Sequence, residues 1–298
     1  MVVATGFFDG VHLGHQLVIK QLVEAAKTRG EKSMIITFWP HPRNVLQKEA
    51  HSLRLLSSLN EKKEKIYALG VDYIEVVDFN KVFSKLTARE YLRDWVMGRF
   101  GANTMILGYD NKVGSDASDS ESVAEIAYEL GLEVIRSEEK KLLTDTHISS
   151  TLIRKVIKEG RVEDALNLLG ERYLLHGVVV SGNMIGRTIG FPTANMQLYE
   201  PLKVIPANGV YLVEVQVFGR LAWGMCNVGN RPTIGQGNAR TIETHIFDFS
   251  EDIYGLDIKI SFCRKIRSEI KFENIEKLKG QLEKDKYLCK ELIAELSN

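Results

Sequence analysis

Short β-rich apolar runs alternate with segments of helical period along the first half of the chain. Met1–Ala4 reads as a buried strand, and Gln16–Arg29 as a helix closed by Gly30. Ser33–Phe38 is the next strand; Asn60 caps a helix ending at Gly70, and Val71–Phe79 returns to strand. Thr87 caps Ala88–Phe100, ahead of strand Asn103–Leu107. Ser120 or Glu121 opens a helix that Gly131 closes, before strand Leu132–Ile135. Caps and closing glycines set these limits. Repeated strand-then-helix units predict a parallel sheet covered on both faces. Ligands of such sheets gather at the carboxyl ends of the strands. The turns Gly6–His15, Phe38–Pro42 and Gly108–Gly114 all follow predicted strands, so they can converge there.

The texture then changes. Two short helices, Ser149–Glu159 and Val162–Leu169, end at Gly160 and Gly170. From Tyr173 onward, strand-like runs (Gly177–Val180, Gly209–Phe218, Ala222–Val228, Ile242–Phe249, Leu256–Cys263) are separated by Gly, Asn and Pro, with a tight hairpin at Phe218-Gly219-Arg220. Strands without crossover helices predict an antiparallel barrel. Asn274–Leu296 carries Ile275, Leu278, Leu282, Leu288, Leu292 and Ile293 among charges, an amphipathic helix for packing on that barrel. The boundary falls at Gly170–Tyr173, dividing the chain into residues 1–171 and 172–298.

Composition narrows the class. The 298 residues suffice for two ordinary domains. Lys+Arg 39 and Asp+Glu 39 cancel, so no global basic field favours nucleic acid. No apolar run approaches the roughly 18 residues of a membrane span. A strand starting at Met1 leaves no room for a signal peptide. Cys226, Cys263 and Cys289 form no C-x-x-C pair, which points to buried thiols in a reducing cytoplasm rather than disulfides or zinc.

The candidate chemistry begins with Gly6–His15, G-F-F-D-G-V-H-L-G-H. A glycine turn between strand and helix aims unpaired N–H groups and the positive end of a helix dipole at one point, which suits an anion. His12 and His15, three apart, face one side of the first turn and can stabilise charge on a leaving pyrophosphate. Ile148-Ser-Ser-Thr-Leu-Ile-Arg154 offers three hydroxyls at a second helix start and an arginine one turn on. Taken alone, that fragment reads better as an N-cap and a surface charge than as a ligand site. Gly182–Asn195, G-N-M-I-G-R-T-I-G-F-P-T-A-N, is a glycine-rich loop in β surroundings, able to shape itself around a ligand.

These motifs resemble, in the same order and over almost the whole chain, those of the bacterial bifunctional riboflavin kinase/FAD synthetases. The first ten-residue block carries the H-x-G-H signature of the nucleotidyltransferase superfamily, and Ile148–Arg154 matches its I-S-S-T-x-I-R. Phe38–Pro42 matches F-x-P-H-P. Gly182–Asn195 is similar to the riboflavin kinase signature, supported by Gly209-Val-Tyr211, Asn227–Thr233, Glu243-Thr-His245 and Arg267–Phe272. The resemblance implies a Rossmann-like N-terminal nucleotidyltransferase domain with a parallel sheet, and a C-terminal antiparallel six-stranded β-barrel with a C-terminal helix. It implies that riboflavin is phosphorylated with ATP to FMN, and that FMN is then adenylylated with ATP to FAD, with Mg²⁺ as the divalent cation.

By that resemblance His12 and His15 stabilise charge and Glu243 is the base for the ribityl 5′-hydroxyl. Gly6, Phe7, Asp9, Gly14, Ser149, Ser150, Thr151 and Arg154 bind ATP phosphates in the first module, and His41, Pro42, Asp110 and Asn111 the flavin. In the second module Gly186, Arg187, Gly190, Pro192, Asn195, Asn227 and Arg267 bind ATP or flavin, and Thr193 and Asn195 the metal. His245 and Cys226 read as packing residues. Asn111 and Val113 depart from the aromatic or histidine and the phenylalanine usual in G-x-D-[FH]-x-F-G, which leaves open an active kinase joined to a weak adenylyltransferase. The implied partners are small molecules only, with the chain a monomer or weak homo-oligomer.

Overall fold

In this computed structural model the described residues are 1–42, 45, 53–108, 112–116, 118–137, 148–182, 185–231 and 239–296. They divide into two compact units, Met1–Ser150 and Thr151–Asn298.

The first unit is a five-stranded parallel sheet in the order β3-β2-β1-β4-β5. Its strands are β1 (Val2–Thr5), β2 (Ser33–Trp39), β3 (Tyr73–Asp78), β4 (Thr104–Leu107) and β5 (Glu133–Arg136). Neighbouring residues of the central strands serve opposite faces. Val2, Ala4, Ile35 and Ile106 pack under α1 (Leu13–Arg29) with Ile19, Leu22 and Ala26. Val3, Ile36, Met105 and Leu107 pack on the other face with Tyr91, Leu92, Val123 and Ala127. Both faces are therefore covered, as the continuous apolar runs require.

The remaining helices follow the expected spans and correct one cap. α2 (Leu59–Ala68) is capped by Ser58, not Asn60: the Ser58 hydroxyl accepts from Glu61 N and the Glu61 carboxylate accepts from Ser58 N, a reciprocal box. α3 starts as Ala88–Glu90 behind the expected Thr87 cap but continues through Tyr91–Arg99 with π-type hydrogen bonds. α4 (Ser120–Glu129) is capped by Asp119.

The second unit is a closed barrel in the order β10-β7-β6-β11-β8-β9, with every pair antiparallel. The strands are β6 (Tyr173–Val180), β7 (Ala194–Leu198), β8 (Gly209–Val217), β9 (Arg220–Arg231), β10 (Ala239–Ile246) and β11 (Asp257–Arg267). β7 lies inside what reads as loop in the sequence, and the motif residues Ala194 and Asn195 are its first two positions. The helices α5 (Ser150–Lys158) and α6 (Val162–Leu169) precede the barrel, and α6 packs on β6 and β11. The packing division thus lies ahead of the change in texture at Tyr173. α7 (Ile275–Leu296) covers the outer face of the barrel, where Leu282, Leu292 and Ile293 meet Val210, Leu212 and Met225. Ile275 and Leu288, expected in that apolar stripe, are exposed. The three cysteines are free and buried.

Candidate active sites

β1 delivers the chain into a turn whose backbone is strained. Phe8 (φ 51°) and Val11 (φ 46°) hold left-handed conformations that a side chain, above all a β-branched one, disfavours. His12 caps α1: its Nδ1 accepts from His15 N at 3.4 Å, which leaves its proton on Nε2. The two imidazoles stack at 3.6 Å, and Phe8 meets His15 edge-on. Burial first, then the neighbouring charges of His12 and Lys62, hold the His15 imidazole well below its ordinary pKa. His15 is therefore neutral at pH 7. A Cβ at Gly14 would lie 3.3 Å from the His12 ring, so a side chain there would press that ring a few tenths of an ångström out of place.

Asp9, expected beside the phosphates, spends its carboxylate elsewhere. It accepts from Leu56 N at 3.0 Å and Ser57 N at 3.1 Å and is buried, so it ties the turn to the segment before α2. Its carbonyl accepts from the Ser150 hydroxyl at 3.1 Å, which brings the start of the second motif onto the first. Ser149 precedes that helix, and Thr151 and Arg154 lie one and four residues further along it.

Beside this turn, at the carboxyl ends of the strands, lies a cavity of about 560 Å³ lined by Gly6, Phe7, Phe38, Pro42, Phe79, Phe83 and Tyr91. Phe38, Phe79 and Phe83 meet at ring distances of 5.6–5.9 Å. The Tyr91 hydroxyl bonds the Thr5 hydroxyl at 2.6 Å, and His41 packs on the Phe7 ring at 3.9 Å. An aromatic, largely apolar slot next to an anion-binding turn suits a planar heteroaromatic ligand carrying a phosphate. Val113 lines the slot, while Asp110 and Asn111 fall outside the described residues. Phe79, Phe83 and Tyr91 were not singled out from sequence, because aromatics at helical or strand spacing read as core.

In the barrel, register alone assembles the second site. Asn195 on β7 lies opposite Glu243 on β10, and Glu243 opposite Asn227 on β9. Asn227 lies opposite Val210 on β8, and Val210 opposite Arg267 on β11. Four predicted site residues therefore form one row across five strands. Two cavities of about 310 Å³ each flank it, and Thr193 lines both. Gly182, Arg187 and Pro192 line one with Asn195; Gly186, Asn227, Glu243, His245 and Arg267 line the other, which Leu278 and Leu282 of α7 close. A Cβ on Gly182 would lie 2.2 Å from the Asn195 amide, and one on Gly186 2.2 Å from the Phe191 carbonyl, so both glycines are required by close approach. Gly190 supplies a positive φ of 86° in the same loop.

Two side chains here act differently from expectation. The Arg267 guanidinium, expected on a ligand, donates to both oxygens of Asp285 on α7 at 2.8–3.0 Å, and to the Ser268 carbonyl. Asp285 is buried and also accepts from Gln281 at 2.8 Å, so this pair fastens α7 over the cavity. His245, read as packing, bonds the Pro192 carbonyl through Nδ1 at 2.8 Å and so fixes the residue before Thr193. Burial lowers its pKa, and the neutral ring sits between Phe191 and Phe247. Glu243 has no hydrogen-bond or ion-pair partner among the described residues and faces the cavity. No cluster of three His, Cys, Asp or Glu able to hold a metal occurs among the described residues.

Comparison with known proteins finds matches to both parts of the chain. The FAD synthetase family model matches residues 1–152 and the riboflavin kinase model residues 169–293. The bifunctional riboflavin kinase/FMN adenylyltransferase of Bacillus subtilis is 37% identical over 289 residues, covering 96% of this chain and 90% of that protein. Its Listeria monocytogenes counterpart is 38% identical over 298 residues, covering 100% and 94%. A crystal structure described as a macrolide-efflux protein from Streptococcus pneumoniae superimposes with a TM-score of 0.89 at 32% identity, covering 97% of this chain and 93% of that one. Among the described residues of the present chain no helix is long and apolar enough to cross a membrane. The chain belongs to the family of bifunctional riboflavin kinase/FMN adenylyltransferases.

Proposed function

We propose that the two sites perform successive steps on one flavin, with Glu243 and the His12–His15 pair as their chemical centres. The chain is a riboflavin kinase and FMN adenylyltransferase: ATP phosphorylates riboflavin to FMN, and a second ATP gives FAD and pyrophosphate. The observation that carries the division of labour is the barrel row Asn195–Glu243–Asn227, set between two cavities that share Thr193.

For the kinase, the cavity under α7 takes the flavin and the one beside Gly182 and Arg187 takes ATP. Glu243, unpartnered and flanked by two amides, removes the proton of the ribityl 5′-hydroxyl as that oxygen attacks the γ-phosphorus and ADP leaves. Thr193 and Asn195 would hold Mg²⁺ together with the nucleotide. A hydroxyl and an amide oxygen are hard but weak donors, which fits an ion held mainly by phosphates and water. The ion supplies neutralisation of phosphate charge; Glu243, Asn195 and Asn227 orient the reacting groups.

For adenylyl transfer, the aromatic slot orients the FMN ring while its phosphate, already an anion, attacks the α-phosphorus. No strong base is needed. His12 and His15 donate hydrogen bonds to charge building on the departing pyrophosphate, beside the N-terminus of α1. By the family resemblance Ser149, Ser150, Thr151 and Arg154 bind the ATP phosphates. Zero net charge favours small-molecule substrates over nucleic acid, and three free buried thiols suit a reducing cytoplasm. Incubating the protein with riboflavin, ATP and Mg²⁺ and separating the flavins tests the reading; FAD is expected, and FMN alone would refute the second step. His12→Ala with His15→Ala should leave FMN formation intact and cut FAD formation by about 10²–10³ for each donor lost.

A further inference from the structure

Lys62 on α2 is 1% exposed, an unusual burial for a lysine. Its ammonium donates to the Phe7 carbonyl at 3.0 Å and to the Thr37 hydroxyl at 2.9 Å, and lies 4.2 Å from the centre of the Phe7 ring. The Thr37 hydroxyl itself donates to the Phe7 carbonyl at 3.2 Å. That carbonyl is thus satisfied without the lysine, and a methionine would fill the space at no desolvation cost. Something other than backbone satisfaction must offset the burial of a charge.

The location supplies it. Phe7 opens the strained turn that ends in His12 and His15, and its ring packs on His41 at the mouth of the aromatic slot. We propose that Lys62 is a positioning residue for adenylyl transfer: from α2, without touching substrate, its ammonium fixes the Phe7 carbonyl and so the shape of the turn that carries His12 and His15. This rests on the reading of that turn as the adenylyl-transfer site. The ionisable groups around Lys62 are Asp9 in the turn, His15 in the first turn of α1, and His41 against the Phe7 ring. Burial brings the ammonium down to about 8 against the opposing pull of Asp9, so it carries its charge at pH 7. That charge is one of the influences lowering the His15 pKa.

The test compares full-length Lys62→Met and Thr37→Val with the wild type and with the double alanine variant of His12 and His15. Misplacement of a reacting group by an ångström costs about 10²-fold. Lys62→Met is therefore expected to lower kcat for FAD formation by about that factor, more than it raises KM for ATP, with FMN formation unchanged. By NMR, His15 is expected to titrate at higher pH in Lys62→Met, because a positive neighbour is gone, and at its wild-type position in Thr37→Val. Loss of the charge moves that titration whatever the ammonium positions, so the fall in kcat with KM little changed is what separates positioning from space filling. Wild-type FAD formation by Lys62→Met, or an unmoved His15 titration, would overturn the proposal. Should Lys62→Met unfold its unit, Thr37→Val decides: one hydrogen bond to a charged group predicts about a tenfold loss, and a wild-type rate overturns the proposal. FAD formation at the wild-type rate by the histidine double variant would instead overturn the reading of the turn.

Discussion

The role proposed for Glu243 rests on its cross-strand neighbours. Amides at Asn195 and Asn227 flank it, and no cation is paired with it among the described residues, so its carboxylate is free to accept a proton. Glu243→Gln should lower kcat for FMN formation by about 10²–10⁴ and change KM little, as measured with riboflavin and ATP at saturation. An unchanged kcat would place the base elsewhere. Such residues stand out in the sequence as candidates because their motifs combine rare spacing with chemistry. The sequence did not reveal Lys62, which sits in the run Lys62-Lys63-Glu64-Lys65 and reads as one more solvated charge. Nor did it reveal that Arg267 is bound to Asp285, since the partner lies on another element. Asp9 was legible as important but not as structural: a carboxylate in a phosphate-binding motif looks like a ligand until its acceptor sites prove occupied.

At the scale of elements, period and capping rules placed the strands and most helices, and failed where hydrogen bonding is irregular. The π-type run Tyr91–Arg99 has no sequence signature, yet it includes Tyr91 of the aromatic slot. β7 was hidden because glycine and proline on either side read as loop, while pairing with β6 and β10 makes it strand. α7 was legible as amphipathic, but what fastens it is the buried Arg267–Asp285 pair rather than its full apolar stripe. Removing one partner of such a pair strands a charge, at a cost of about 3–5 kcal/mol. Asp285→Ala should reduce the urea-unfolding stability of the barrel unit toward the lower end of that range, because Arg267 retains some water access. It should also raise KM for riboflavin, since Leu278 and Leu282 of the same helix close the cavity. A loss of stability with KM unchanged would separate α7 from substrate binding.

For the whole molecule, the sequence indicates two domains, but the packing division precedes the visible change in texture. α6 buries Val162, Ala165, Leu168 and Leu169, and it packs on β6 and β11. Gly160, ahead of it, lies so close to the Tyr211 hydroxyl that a Cβ would sit 2.7 Å away. A fragment of residues 151–298 should therefore fold and phosphorylate riboflavin, and one of residues 171–298 should melt at a lower temperature, as followed by circular dichroism. Equal melting temperatures would make α6 an appendage. The two units also differ in how they end sideways. A barrel closed by β9–β10 pairing offers no unpaired backbone to a neighbour, whereas the open sheet ends in β3 and β5. Those edges are short and carry Glu75 and Asp78, and Glu133 and Arg136, charges that discourage intermolecular strand addition only while the unit is folded. Under heat stress the first unit should be the part that clumps. The whole heated suspension, pellet included, would then lose FAD formation before FMN formation, and a cell in that condition would accumulate the intermediate rather than run short of both cofactors.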